Sequence, residues 1–231
     1  MRDNFTRIAV ILDRSMSMQS CRESTVTGFN TFIGEQKKLP GDATVKLVQF
    51  DTEYETVFDK KLQDAPKLTQ ETFVPRGNTA LLDAQGKTII ELGNELEKLP
   101  EHERPSKVIV VTITDGEENS SKDFTVEKIA KMVQHQRDVY GWDFVFLGAN
   151  QDAVEVGRGM NIPVQSAMTY STSRAGVANT MRAASNYVRA SRSGLNATFS
   201  VEERKLAMED DDEVLVNANN VTGSTTTTFQ K

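Results

Sequence analysis

Hydrophobic and polar positions fall into two alternating rhythms along this chain. Ile8-Ala9-Val10-Ile11-Leu12 is a continuous apolar run, as expected of a central strand covered on both faces. Val26, Phe29, Phe32 and Ile33 then recur at helical spacing, predicting an amphipathic helix that ends before Pro40. Val45, Leu47, Val48 and Phe50 make a second strand, and Asp51-Thr52 leads tightly into Tyr54, Thr56 and Phe58, predicting a hairpin with an antiparallel edge strand. A loop-rich stretch from Gln63 to Asn78 holds Pro66, Pro75 and Gly77. Leu81, Leu82, Ile89, Leu92 and Leu96 trace one face of a long helix opening near Thr79. Val108 to Ile113 is a second fully buried strand, Val126, Ile129, Ala130 and Val133 a helix, and Phe144 to Leu147 a further strand. Val177, Met181, Ala184 and Val188 give a last amphipathic helix. The alternation predicts an α/β fold with a mostly parallel central sheet.

After Ser193-Gly194 the rhythm stops. Residues 195–231 carry Asp210-Asp211-Asp212-Glu213 and a Thr225 to Thr228 run, too polar to order themselves alone. The expectation is a domain over 1–194 followed by an acidic, Thr-rich tail that is flexible or ordered by a partner.

The 231 residues suffice for one sizeable domain. A net charge of -6 argues against bulk attraction to nucleic acid or anionic lipid. A lone cysteine, Cys21, excludes an intramolecular disulfide and suits a reducing compartment. The N-terminal apolar run is too short and polar-flanked for a signal peptide, and no stretch approaches the roughly 20 apolar residues of a membrane span. A soluble, cytoplasmic protein is expected.

Candidate chemistry lies in three short stretches: Asp13-Arg14-Ser15-Met16-Ser17, Gly77-Asn78-Thr79 and Thr114-Asp115-Gly116. Ligand sites in open parallel sheets lie beyond the carboxyl ends of strands, and Asp13 and Asp115 each follow a buried strand. If those strands are neighbours, the two carboxylates converge. Together with Ser15, Ser17 and Thr79 they make an all-oxygen donor set suited to a hard divalent cation. Two carboxylates balance the charge of a dication, and neutral hydroxyls leave it electrophilic toward an outside carboxylate.

These stretches, in this order, resemble a von Willebrand factor type A domain carrying a metal-ion-dependent adhesion site, whose pattern is Asp-x-Ser-x-Ser, a distant Thr, and Asp in a Thr-Asp-Gly context. The likeness covers roughly Phe5 to Ser191. It implies a Rossmann-like sheet with helices on both faces and, as in stand-alone bacterial or phage-like members, a protein-binding surface. It also implies Mg2+, with Mn2+ as the alternative, held by Asp13, Ser15, Ser17, Thr79 and Asp115. The partner would present Asp or Glu, and Arg14, Met16, Asn78 and Glu117 would form the rim that selects it. Met16 departs from the Gly common in bacterial members, and Met16 and Met18 either line that rim or pack under the loop.

Glu117 and Glu118 read as solvated loop charges, His102 and His135 as surface residues, and Cys21 as a small buried side chain. Arg174, Arg182, Arg189 and Arg192 read as the solvated side of the last helix, so nucleic acid is not the expected partner. The acidic run could complete the metal site of a second copy and drive self-association through the tail. The reading is a non-enzymatic module. Its alternatives are a metal-dependent phosphohydrolase on a Rossmann-like sheet, or an assembly protein of a virus or secretion machine. Against the hydrolase, no second carboxylate stands two residues after Asp13, no P-loop pattern is present, and no histidine lies near the motifs.

Overall fold

A computed structural model describes residues 1–211. Among these, six strands form one sheet: β1 (Arg2–Asp13), β2 (Asp42–Phe50), β3 (Tyr54–Lys61), β4 (Pro105–Thr114), β5 (Asp143–Ala149) and β6 (Ala167–Tyr170), in the order β3-β2-β1-β4-β5-β6. All neighbours are parallel except β2 and β3, the expected hairpin at one edge. The Asp51 carboxylate closes its turn by accepting the Glu53 amide at 2.6 Å.

The two continuous apolar runs are the central neighbours, with Ile8 beside Ile109 and Leu12 beside Ile113. Their lack of alternation follows from the layers. Ile8, Val10 and Leu12 face α1 (Arg22–Lys37) and α5 (Arg174–Arg192), while Ala9 and Ile11 face the side of α2 (Leu81–Glu97) and α3 (Val126–Tyr140). Both faces need apolar side chains because both are covered. The contact of α2 with the sheet is partly ionic: buried Lys46 reaches Glu91 and Glu95, each at 2.8 Å.

Before Gly194, two elements escape the hydrophobic pattern, α4 (Ala153–Gly159) and the four-residue β6. Both are too short for a period to register. Helix α5 keeps Arg174, Arg182 and Arg189 exposed, but Arg192 turns inward and donates to the Gln36 carbonyl at 2.9 Å.

The segment after Gly194 behaves differently from a free tail as far as Asp211. Ala197, Phe199 and Ala207 are buried, and a Ser200–Glu203 capping box starts α6 (Val201–Ala207). Arg204 donates to the carbonyls of Ala167 (2.7 Å) and Val164 (2.9 Å), and Ser171 donates its amide to Ala207 at 2.8 Å. Asp210 accepts the Ser171 hydroxyl, and Asp211 accepts the amides of Arg174 and Ala175 at the start of α5. The polar average of 195–231 hid these few anchors. Asp212, Glu213 and the Thr225 to Thr228 run lie outside the described residues.

Candidate metal centre

Because β1 and β4 are parallel neighbours in register, both chains emerge at one end of the sheet, and Asp13 lands beside Thr114. The Thr114 hydroxyl donates to Asp13 Oδ2 at 2.6 Å, and the Ser15 amide donates to Asp13 Oδ1 at 2.6 Å. Ser15 Oγ and Ser17 Oγ lie 3.0 Å apart, and Ser17 Oγ donates to Asp115 Oδ1 at 2.6 Å. Thr79 arrives from the third stretch. A methyl group placed on Gly116 would come within 3.1 Å of Thr79 Oγ1, 3.3 Å of Ser17 Oγ and 3.9 Å of Ser15 Oγ. The five sequence-predicted positions therefore meet, and Gly116 keeps the space between three hydroxyls open.

The electrostatics of this cluster call for a cation. Asp13 is fully buried and Asp115 nearly so. Burial pushes the Asp13 carboxyl up to about 6, with the Asp115 charge adding to the effect and hydrogen bonds from Thr114 and Ser15 opposing it. Burial also raises the Asp115 carboxyl, against the hydrogen bond from Ser17. Asp115 Oδ2 is buried with no hydrogen-bond partner. An orphaned carboxylate oxygen in such a place is costly unless a positive ligand satisfies it. The donors are all oxygen, so the residues present fit a hard divalent ion. Among the described residues no group of three or more His, Cys, Asp or Glu side chains converges in the manner of a zinc cluster.

The rim holds Met16, Asn78 and Glu117, all exposed. Arg14 is a correction: its side chain is only 8% exposed and lies inward, against Asp51 and Glu55. It alternates with Ser15 along the loop, so when the serine faces the site the arginine faces the hairpin. Met18 is fully buried under the loop. Glu118 is not a solvated charge either. Its carboxylate accepts the amides of Leu82, Ser120 and Ser121, the first at the start of α2. Glu118 thus serves the first turn of α2 from outside the helix, where the N-cap residue Ala80 offers no side-chain bond and Thr79 makes no capping contact. Cys21 is buried and its thiol is pushed up to about 11, chiefly by burial, so it is a packing residue.

Several supporting residues carry no motif. Asn119 accepts the Thr79 amide at 2.9 Å and donates its own amide to the Thr79 carbonyl at 3.0 Å. Asn150, in the left-handed region at φ 56°, donates to the Asp115 carbonyl at 3.0 Å, and Gln151 donates to the Gly116 carbonyl at 2.9 Å. The buried Tyr170 hydroxyl reaches the Thr114 carbonyl at 3.2 Å. Asn150-Gln151 does follow a strand at the carboxyl end of the sheet, and that position was the available signal.

No protein-family model and no curated protein matches this chain. Solved structures do. A von Willebrand factor type A protein from Catenulispora acidiphila superposes with a TM-score of 0.53 at 14% identity, covering 81% of this chain and 43% of that one. Proximal thread matrix protein 1 from the mussel byssus, with a zinc-occupied metal-ion-dependent adhesion motif, gives 0.54 at 16% identity over 82% of this chain and 47% of that one. The pilus adhesin SpaC from Lactobacillus rhamnosus GG gives 0.57 at 13% identity over 82% and 30%. The chain has the von Willebrand factor type A fold, and it spans less than half the length of each of these three proteins.

Proposed function

We propose that this protein is a metal-dependent protein-binding module of the adhesion or scaffold kind. Asp13, Ser15, Ser17, Thr79 and Asp115 would hold a divalent cation, Mg2+ or Mn2+, which offers a coordination position to an Asp or Glu of a partner. The observation that carries this reading is the orphaned, buried Asp115 Oδ2 beside three converging hydroxyls. The zinc in the mussel protein belongs to that protein; the oxygen-only donors here favour a harder ion.

The partner's acid is expected from another molecule. Asp210 and Asp211 already hold the Ser171 hydroxyl and the first amides of α5. Binding without turnover suits the site, because His102 and His135 are exposed and belong to none of its three stretches. Among the described residues no helix is long and apolar enough to cross a membrane. A cytoplasmic setting suits the single buried thiol.

Affinity capture from a lysate tests the reading, using wild type and Asp115→Ala, each with Mg2+ or with EDTA. Partners retained only by wild type with Mg2+ support it. An identical set in all four arms overturns it.

A further inference from the structure

We propose that Asp51, outside all three motifs, is a positioning residue of the metal centre, holding the Thr79 segment against the Asp13 segment through Arg14 and Arg76. The proposal rests on the metal-binding reading above. Asp51 is 1% exposed and sits at the turn after β2. Its Oδ1 serves the hairpin by accepting the Glu53 amide. Its Oδ2 serves no need of that turn: it accepts Arg14 Nε at 2.9 Å and Arg76 Nε at 2.8 Å.

The main chain repeats the same connection. The Asp51 carbonyl accepts the Ala80 amide at 3.0 Å, one residue past Thr79, and the Arg76 amide donates to the Arg14 carbonyl at 2.8 Å. Between these ties the Met16 amide donates to the Gly77 carbonyl at 3.2 Å. Gly77 adopts φ +67°, and a methyl group there would approach Thr52 Oγ1 at 3.2 Å and Asp51 Cβ at 3.4 Å. Residues 76–80 are thus slung from Asp51 and Arg14. The place of the Thr79 hydroxyl relative to Ser15 and Ser17 is set by a carboxylate that touches none of them. Burying a carboxylate between two guanidiniums carries a desolvation cost that a simple hairpin turn does not require. Fixing one metal-ligating segment on another gives it a use, as partners behind metal ligands commonly do.

Arg76 allows a clean test because its side chain is 51% exposed, so trimming it opens no cavity. The probe is Mn2+, titrated calorimetrically into the full chain. Arg76→Ala is expected to weaken Mn2+ binding about 10-fold. Amide exchange over 77–80 should quicken, and the loss of affinity should exceed what any fall in melting temperature in EDTA accounts for. Arg76→Lys should recover part of the affinity, and Asp51→Asn should lose at least as much as Arg76→Ala. Wild-type affinity in Arg76→Ala overturns the proposal, as does a loss that tracks a fall in melting temperature in EDTA. If Asp115→Ala abolishes binding while Arg76→Ala binds as tightly as wild type, the clamp alone fails. If wild type takes up no Mn2+, or Asp115→Ala binds as wild type does, the metal reading fails and the clamp falls with it.

Discussion

Ser17 Oγ donates to Asp115 Oδ1 at 2.6 Å across 98 residues of sequence. This bond joins the loop after β1 to the loop after β4, and among the described residues it is the one side-chain hydrogen bond to the buried Asp115 carboxylate. Ser17→Ala removes one of the proposed metal donors and takes from Asp115 Oδ1 its side-chain partner. The expected outcome is weaker metal binding together with a loss of about 1 kcal/mol in metal-free stability. Urea denaturation in EDTA measures the second quantity, and unchanged stability there would show that the bond contributes nothing.

Asp115→Asn should act with opposite signs in the two states. Removing a charge that burial disfavours is expected to raise the melting temperature in EDTA. The same change should abolish the rise that Mg2+ gives wild type. For wild type that rise corresponds to about 2.7 kcal/mol at a metal concentration 100-fold above Kd. Thermal melts of both proteins across a Mg2+ series check the pair of signs.

The pH dependence follows from Asp13. Burial pushes its folded carboxyl up to about 6, against 3.8 for a free carboxyl, so between those values the folded state holds more protons than the unfolded one. Its contribution to metal-free stability therefore falls as pH rises from about 4 to about 6 and is level above that. Asp83 works the other way. Burial raises its carboxyl, but three backbone amides from Lys122, Asp123 and Phe124 hold it below the usual range. Its stabilisation is present above about pH 4 and is lost as pH falls through its depressed value. Asp13→Asn should flatten the first trend and leave the acid limb in place, as read by denaturation in EDTA from pH 3 to 8.

Gly116→Ala places a methyl group 3.1 Å from Thr79 Oγ1. The expected result is a larger loss in Mg2+ affinity than in stability, because the hydroxyls must spread while the strands behind them stay put. Equal, small losses in both would show that the space at Gly116 is not needed.

How much of this was legible in the sequence depends on the kind of signal. β1 and β4 announced themselves because burial on both faces demands unbroken apolar runs, and the two motif carboxylates stand at or just past their carboxyl ends. The Asp51-Thr52 turn and its antiparallel strand were equally plain. The direction of Arg14 is hidden because a loop residue between two motif positions gives no sign of which way it points; its destination, Asp51, lies 37 residues away. Glu118 reads as a solvated charge in the sequence because most of its partners are backbone amides, which no side-chain pattern can reveal. α6 was lost in a polar average, although Ser200 and Glu203 carried the signature of a helix start.

That last segment changes what a shortened protein would show. The amide of Phe199 donates to Gln165, and Arg204 and Ala207 occupy main-chain groups at or beside β6, the outermost strand opposite the hairpin. An uncovered outer strand is a template for pairing with another chain. Cutting after Gly194 would therefore turn a guarded margin into an adhesive one. Such a truncation should form dimers or larger species in light-scattering measurements, whereas cutting after Asp211 should match the full chain. Self-association provoked by the shorter cut would report a lost edge guard and say nothing about the metal.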